Sequence, residues 1–523
     1  MKQKESGQKR LTYTSVLFLQ VDVLERDVLE VLSLVRSMKN NFAPVNWIPG
    51  AVLSLIPHYW ERQYMDTDKD IIALTHVCRA WRELFTSHPS LWTRLDFTNV
   101  DKTHAYIERS RWLPLEVTIC KTKAEFSLEE ALLLAIPHIA RFKSLTIIGA
   151  SDSLQNLTKH LNSPAPFLKE LIIDFNGFPA PFFDENLLNG DLTSLHTLSL
   201  GGVITSLPWR GMWNLTTFTF RRAPQIRNIT MMQLLLFLKS APRLRDIILH
   251  DGSTPIFPEA SLPIVSLPDL KNLTIFGSPS HVLLSHLSIP DGASLFLEFD
   301  FHGDISPLPH HLPKTTENLK NLFRVTAVNL CFDVQTKFVR LAGPSGQLCM
   351  RCHWENDTNA SPLALDRRIL RSLDYFHFHM TWSLTITKYD DVVPEVIEKA
   401  SPYQVLLRMK DLHTLTLIRC SYSSFVSALN PDRNCSKIIL CPGLKELVLY
   451  VDKQIVSDIS RLMDMTRERA LRGAKLRSIT IVGVGEILPG REVFQLKEHV
   501  EHVEYRVEEN PPSWDSIPSG KSS

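Results

Sequence analysis

Cys349-Met-Arg-Cys352-His353 is the run with the most chemical potential in this chain of 523 residues. Its C-x-x-C-H spacing is that of covalent haem attachment, and two thiols with an imidazole also make half of a tetrahedral zinc site. On a β-strand, residues three apart point to opposite faces, so a strand here would make the two thiols diverge. No second close Cys/His pair completes a zinc set. Gly483-Val-Gly485 follows an apolar, strand-like run, but Leu488 stands where a dinucleotide fingerprint needs its third glycine, so the pair reads as a turn. His499 and His502 lie in KEHVEHVEYRV, which reads as a final strand and lacks the HExxH order of a metalloprotease. There is no P-loop and no GxSxG elbow. These residues lead us to expect no cofactor, no metal and no catalytic residue: the chain reads as a non-enzyme.

Composition narrows the class further. A hydrophobic fraction of 44% with 22% charged residues is globular, and a net charge of +1 lacks the basic footprint of nucleic-acid binding. Eight thinly spread cysteines suit a reducing compartment better than a disulfide scaffold. The opening MKQKESGQKR-LTYTSVLFLQV has the charge order of a signal peptide without a small-x-small cleavage site. Asp22, Glu25, Arg26, Asp27 and Glu30 interrupt the one apolar stretch that approaches a membrane span. A cytoplasmic or nuclear protein, or one in both places, with no membrane association is the expectation.

The elements that would carry any function begin with residues 21–38, where Val21, Leu24, Val28, Val31, Val35 and Met38 alternate in steps of three and four. That is a heptad seam of barely two and a half repeats, so a helix packed on its own chain is expected over a dimerising coiled coil. Between 45 and 95, a short helix starts at Pro49 with the stripe Val52, Leu53 and Ile56, and Pro57 discourages continuation. A second helix is expected from Lys69 to Phe85, capped by Asp68, with the stripe Ile71, Leu74, Val77, Cys78, Trp81, Leu84 and Phe85. A third covers Thr103 to Ser110.

Beyond these helices a pattern of apolar-x-x-apolar-x-apolar recurs, starting at Phe142, Leu168, Leu195, Leu215, Leu244 and Leu270, and again at Leu412, Leu444 and Leu476. Successive starts lie 26, 27, 20, 29 and 26 residues apart in the first group, and 32 and 32 in the last. Weaker copies at Val325-Val328-Leu330 and Leu384-Ile386 predict that the array continues through the middle. Each copy reads as one strand of period two, often behind Pro or Gly, and one strand cannot bury its apolar side alone. Stacking copies side by side would bury it, which predicts a parallel sheet along a leucine-rich-repeat-like α/β solenoid. Helical runs such as NITMMQLLLFLKSA (228–241) would form its outer layer.

The order Ile48-Pro49, Val52-Leu53, Ile56, Leu74, Val77-Cys78-Arg79, Trp81, Pro89 and Leu91-Trp92 resembles the F-box motif. ALTHVCRAWRELF and PSLWTRLDFTNVDKT are most similar to the F-box proteins abundant in mushroom-forming fungi. The link HYWERQYMDTDKD is about six residues longer than the common motif, a lengthening shared by the fungal version. The match covers about 50 residues and the helix to Ser110, and the array resembles the leucine-rich-repeat half of that family only in pattern; together with the repeats they predict an α + α/β protein, an N-terminal helical F-box followed by an irregular leucine-rich-repeat-like α/β solenoid. Its expected parts are an N-terminal helical segment (1–44), the F-box and linker helix (45–113), the solenoid (114–507) and a disordered tail (508–523). The resemblance implies binding of a Skp-family adaptor, and through it of cullin and RING subunits, by Pro49, Val52, Leu53, Ile56, Leu74, Val77 and Cys78, with Trp81 and Trp92 as internal packing.

The solenoid would then present a target protein to the ligase. Strand positions facing away from the buried leucines include Thr197, Thr217, Asp246, Asn272, Thr219, Thr274 and Thr416, then Arg221, His250, Phe276 and Tyr450. The last four are the better candidates, because Arg and aromatic residues dominate binding hot spots. Two other readings stand beside this one: an adaptor-bound scaffold without ubiquitin transfer, and a small-molecule-binding or hydrolytic domain within the array.

Overall fold

The structure is a computed structural model. It describes residues 2–56, 67–120, 128–150, 161–176, 182–183, 187–190, 192–205, 211–222, 230–250, 262–277, 280–301, 313, 317–322, 325–332, 336–342, 347–354, 380–388, 402–419, 422–434, 437–451, 459–484 and 495–508. The chain divides into two compact units, Met1–Leu145 and Thr146–Ser523.

In the first unit α1 (Lys2–Asn41) leads through a 3-10 turn at Pro44–Trp47 to α2 (Gly50–Leu53), α3 (Thr67–Thr75) and α4 (Arg79–Thr86). A second 3-10 turn at Pro89–Trp92 precedes β1 (Arg94–Leu95), α5 (Val100–Arg109), β2 (Leu115–Cys120) and α6 (Leu128–Ala135). β1 runs parallel to β2, with Arg94 opposite Glu116. The C-terminal carbonyls of α1 are not left bare: Asn46 Nδ2 donates to Asn40 O at 2.6 Å and Trp47 Nε1 to Asn41 O at 3.3 Å.

Four local expectations need correction. The seam residues Val21 to Met38 do not pack on their own chain; their side chains are exposed along α1. The helix expected from Lys69 to Phe85 is two helices, α3 and α4, separated at His76–Cys78, where Cys78 takes an extended backbone (φ −158°, ψ 174°). At the break Val77 turns outward while Leu74 and Trp81 stay buried, and Arg82 Nε donates to the Thr75 carbonyl at 3.1 Å. Asp68 is not an N-cap, since α3 already includes Thr67. The third helix starts earlier than Thr103 because the Asn99 side chain caps it, accepting from Lys102 N at 3.0 Å. Pro57 and the long link up to residue 66 lie outside the described residues.

β3 (Phe142–Ala150) leads the chain into the second unit. Its strands are β4 (Glu170–Asn176), β5 (Phe182–Phe183), β6 (Thr197–Thr205), β7 (Thr217–Arg222), β8 (Asp246–His250), β9 (Val265–Ser266) and β10 (Asn272–Phe276). They continue with β11 (Leu287–Ser288), β12 (Ser294–Phe301), β13 (Ala327–Phe332), β14 (Thr336–Ala342), β15 (Gln347–Trp354) and β16 (Ser383–Lys388). The last four are β17 (Thr414–Ile418), β18 (Glu446–Val451), β19 (Ser478–Val484) and β20 (His502–Glu508). Parallel pairing runs β4-β6-β7-β8-β10-β12-β15 and, separately, β13-β16-β17-β18-β19-β20.

Register explains the core. Leu171, Leu198, Phe218, Ile247, Leu273, Leu295 and Leu348 stand opposite one another from strand to strand, all buried. The leucines that open each copy, Leu168, Leu195, Leu215, Leu244 and Leu270, are buried as well. Between β7 and β8 the helix α7 (Met231–Ser240) buries Met231, Leu234, Leu235, Phe237 and Leu238. Its Phe237 ring meets Phe218 of β7 at 4.5 Å, and Thr230 with Gln233 closes a capping box at its start.

The parallel run does not continue directly through the middle as expected. The strand beside β12 is β15, and β14 lies antiparallel between β13 and β15. Connection length decides this. Only residues 333–335 join β13 to β14, and only 343–346 join β14 to β15. A parallel crossover needs a dozen or more residues, so strands joined this closely pair antiparallel, as β13 with β14 and β14 with β15 do. The copies at Val325 and Leu384 do form neighbouring parallel strands, Val328 opposite Leu384. Cys349 to His353 lie in β15, and the side chains from Arg351 onward fall outside the described residues. β20 includes Glu508, and residues 509–523 are outside the description. Among the described residues no helix is long and apolar enough to cross a membrane, and no group of three or more His, Cys, Asp or Glu could hold a metal ion.

Candidate functional site

The candidate binding residues fall in both units. In the first, the interior is closed by aromatic rings tied to the backbone. Trp92 is fully buried; its Nε1 donates to Phe85 O at 3.0 Å, Tyr106 meets its ring edge-on at 4.8 Å, and the Arg109 guanidinium lies 4.5 Å from the ring centre. Trp81 packs edge-on against Phe85 at 5.5 Å, and its Nε1 donates to Asn46 Oδ1 at 2.7 Å. Asn46 thus fastens the segment ahead of α2 to α4, a role that nothing in the linear pattern announces. Gly50 lets α2 approach α4, since a Cβ there would stand 3.2 Å from Leu84 Cδ1. Asn46→Ala leaves the buried indole N–H without its acceptor, so a loss of about 1–2 kcal/mol is expected in urea denaturation.

The seven candidate adaptor-facing residues fall into three groups. Leu53 and Leu74 are 4% and 5% exposed and belong to the interior. Ile56 and Cys78 are half-buried. Pro49, Val52 and Val77 are exposed, the two valines at 52% and 55%, and exposed Val45, Ile48 and Leu55 lie in the same segment as Pro49 and Val52. The unit therefore buries an apolar core and still offers apolar side chains to solvent among the described residues.

In the second unit three of the four candidate recognition residues stand in one cross-strand row. Reading across the parallel strands, Asp174, Gly201, Arg221, His250, Phe276 and Glu298 are successive register partners. Each candidate is half-buried, alternating with the buried apolar positions of its strand. His250 and Phe276 stack at 4.3 Å with planes only 6° apart, and Phe296 meets Phe276 edge-on at 6.2 Å. Arg221 Nη2 makes an ion pair with Asp174 that passes over Gly201. Thr197, Thr217, Asp246 and Asn272 form a second row on the same strands, with Asn272 Nδ2 donating to Asp246 Oδ1 at 2.6 Å. Thr219 and Thr274 flank Ile248 in a third.

Counting positions along the strands finds the candidates; Asp174, Gly201 and Phe296 emerge only from the register between strands. Gly201 and Gly202 form the β-bulge of β6, and they differ in what they tolerate. A Cβ on Gly201 would meet the ends of the flexible Asp174 and Arg221 side chains, which can shift. Gly202 has φ +62°, and its Cβ would lie 1.9 Å from the Phe175 carbonyl oxygen, which cannot. Gly202→Ala is expected to cost about 3 kcal/mol in chemical denaturation, and Gly201→Ala under about 1 kcal/mol.

Tyr450 stands in another row, between Ile418 and Val482, and beyond Val482 comes Arg506. Burial, with the Glu508 carboxylate nearby, pushes its phenol above the usual value against the pull of Arg506. The hydroxyl stays protonated at neutral pH and can donate a hydrogen bond. Thr416 lies one row over on β17, opposite Val448.

Residues 61–98 match the F-box-like family. The match takes in α3, α4, the Pro89–Trp92 turn and β1, and it begins after the α2 segment in which the motif was expected to start. No curated protein matches the chain. F-box domains typically bind Skp-family adaptors. The chain thus has a helical N-terminal region with an F-box-like domain, followed by a mixed α/β region built on parallel strands.

Proposed function

We propose that this protein is the substrate-recognition subunit of a Skp-cullin-F-box ubiquitin ligase, working in the cytoplasm, the nucleus or both. The carrying observation is the exposure of Pro49, Val52 and Val77 beside an F-box-like core already completed by Leu53, Leu74, Trp81, Phe85 and Trp92. Side chains that the core does not need, within or just ahead of a domain of a class that binds adaptors, are the natural contact set. Leu53 and Leu74 serve docking indirectly, by holding α2 and α3 in place.

The parallel strands supply the target-binding half of this reading, as an irregular leucine-rich-repeat-like array. The stack of His250 on Phe276, flanked by the Arg221–Asp174 pair and Glu298, offers an aromatic face bounded by charges of both signs. That combination suits a protein segment with an apolar anchor and polar neighbours. The protein's own contribution is proximity, not bond-making: it holds a target near a ubiquitin-loaded enzyme brought by the cullin and RING subunits.

Co-expression of the intact chain with a Skp-family adaptor, cullin and RING subunit tests the reading. Co-purification of the adaptor, followed by ubiquitin transfer to a captured target, is the expected result. Adaptor capture without transfer to any captured protein would make it a scaffold, and failure to capture the adaptor would remove the proposal.

A further inference from the structure

We infer that α1 is one half of a parallel two-stranded coiled coil whose other half is α1 of a second copy of this chain. The seam is longer in the structure than its strongest stretch. Leu17, Val21, Leu24, Val28, Val31, Val35 and Met38 keep the four-three alternation for three full heptads of continuous helix, and each is between 53% and 64% exposed. Phe42, in the turn that ends α1, falls on the next position of the same register and is exposed too. The first unit leaves this stripe uncovered along the described side chains of α1, while Asn46 and Trp47 hold the helix's C-terminal end.

Three features select a second copy in parallel. Assigning Val21, Val28 and Val35 to position a places Leu17, Leu24, Val31 and Met38 at d, and β-branched a residues with mainly unbranched-β d residues favour two parallel strands. In that register the flanking g-to-e pairs are Gln20 with Glu25, Asp27 with Leu32, and Leu34 with Lys39 of the other copy, so no like charges meet. Residues 17–42 carry four acidic and three basic side chains, net −1, which does not suit an anionic membrane surface. Dimerisation would double both candidate binding surfaces in one assembly.

Sedimentation velocity on the full chain tests this independently of adaptor docking. The expected result is a concentration-dependent dimer, with Val28→Glu plus Val31→Glu raising its dissociation constant by about 100-fold or more. The same variant is expected to capture the Skp-family adaptor as the wild type does, so failure of dimerisation and failure of docking are told apart. Met38→Cys adds a test of direction. In a parallel pair the two introduced thiols face each other and a bismaleimide crosslinks them above the wild-type background; in an antiparallel pair they lie near opposite ends. A wild-type monomer at all concentrations, a trimer, a dimer that survives the double substitution, or no Met38→Cys crosslink would each overturn the inference.

Discussion

Trp92→Ala is expected to destabilise the F-box-like domain by about 4 kcal/mol, read as a large loss in the urea midpoint of the first unit's transition. Three effects add at this position. The indole is fully buried, so its removal loses transfer energy and leaves a cavity bordered by Tyr106 and the chain around Phe85. The Phe85 carbonyl loses the indole N–H it accepts. Arg109, 4.5 Å from the ring centre, loses the aromatic face on which it lies. Trp92→Phe keeps much of the volume and none of the N–H, and is expected to cost about half as much. Adaptor capture is expected to fall with stability in both variants, because less of the domain that would present the proposed contact residues is folded.

The second large effect separates presentation from folding. Val52→Glu with Val77→Glu is expected to leave the urea midpoint within about 0.5 kcal/mol of wild type, because both valines are more than half exposed. Adaptor affinity is expected to fall about 100-fold or more, since two carboxylates would be desolvated in an apolar interface without partners. Equal capture by the double variant would show that the adaptor, if it binds, uses another face. Leu53→Glu would not make this distinction, because at 4% exposure it would disrupt the core.

What was legible in the sequence follows from how local each determinant is. Period-two copies reveal strands because burial of Leu198 or Leu273 requires only that the neighbouring strand bury its own leucine. The row of Arg221, His250 and Phe276 was legible too, since equal spacing from each buried leucine places them in register. The β13-β14-β15 meander was not, because its copies look alike and only the three- and four-residue links forbid a parallel crossover. The break at His76–Cys78 was also hidden: Leu74, Val77, Cys78 and Trp81 fit a continuous helical stripe, and only three-dimensional packing turns Val77 outward. Periodicity along α1 marked an apolar stripe without saying what covers it. Asn46 gave no signal, because a single polar side chain that fixes one tryptophan has no pattern.

Hydrogen–deuterium exchange of the full chain with and without a purified Skp-family adaptor tests the central claim most directly. Adaptor docking predicts a stable complex in which amide protection rises around Pro49–Leu53 and at His76–Cys78, while β6, β7, β8 and β10 exchange as before. No complex, or protection confined to the parallel strands of the second unit, would contradict it.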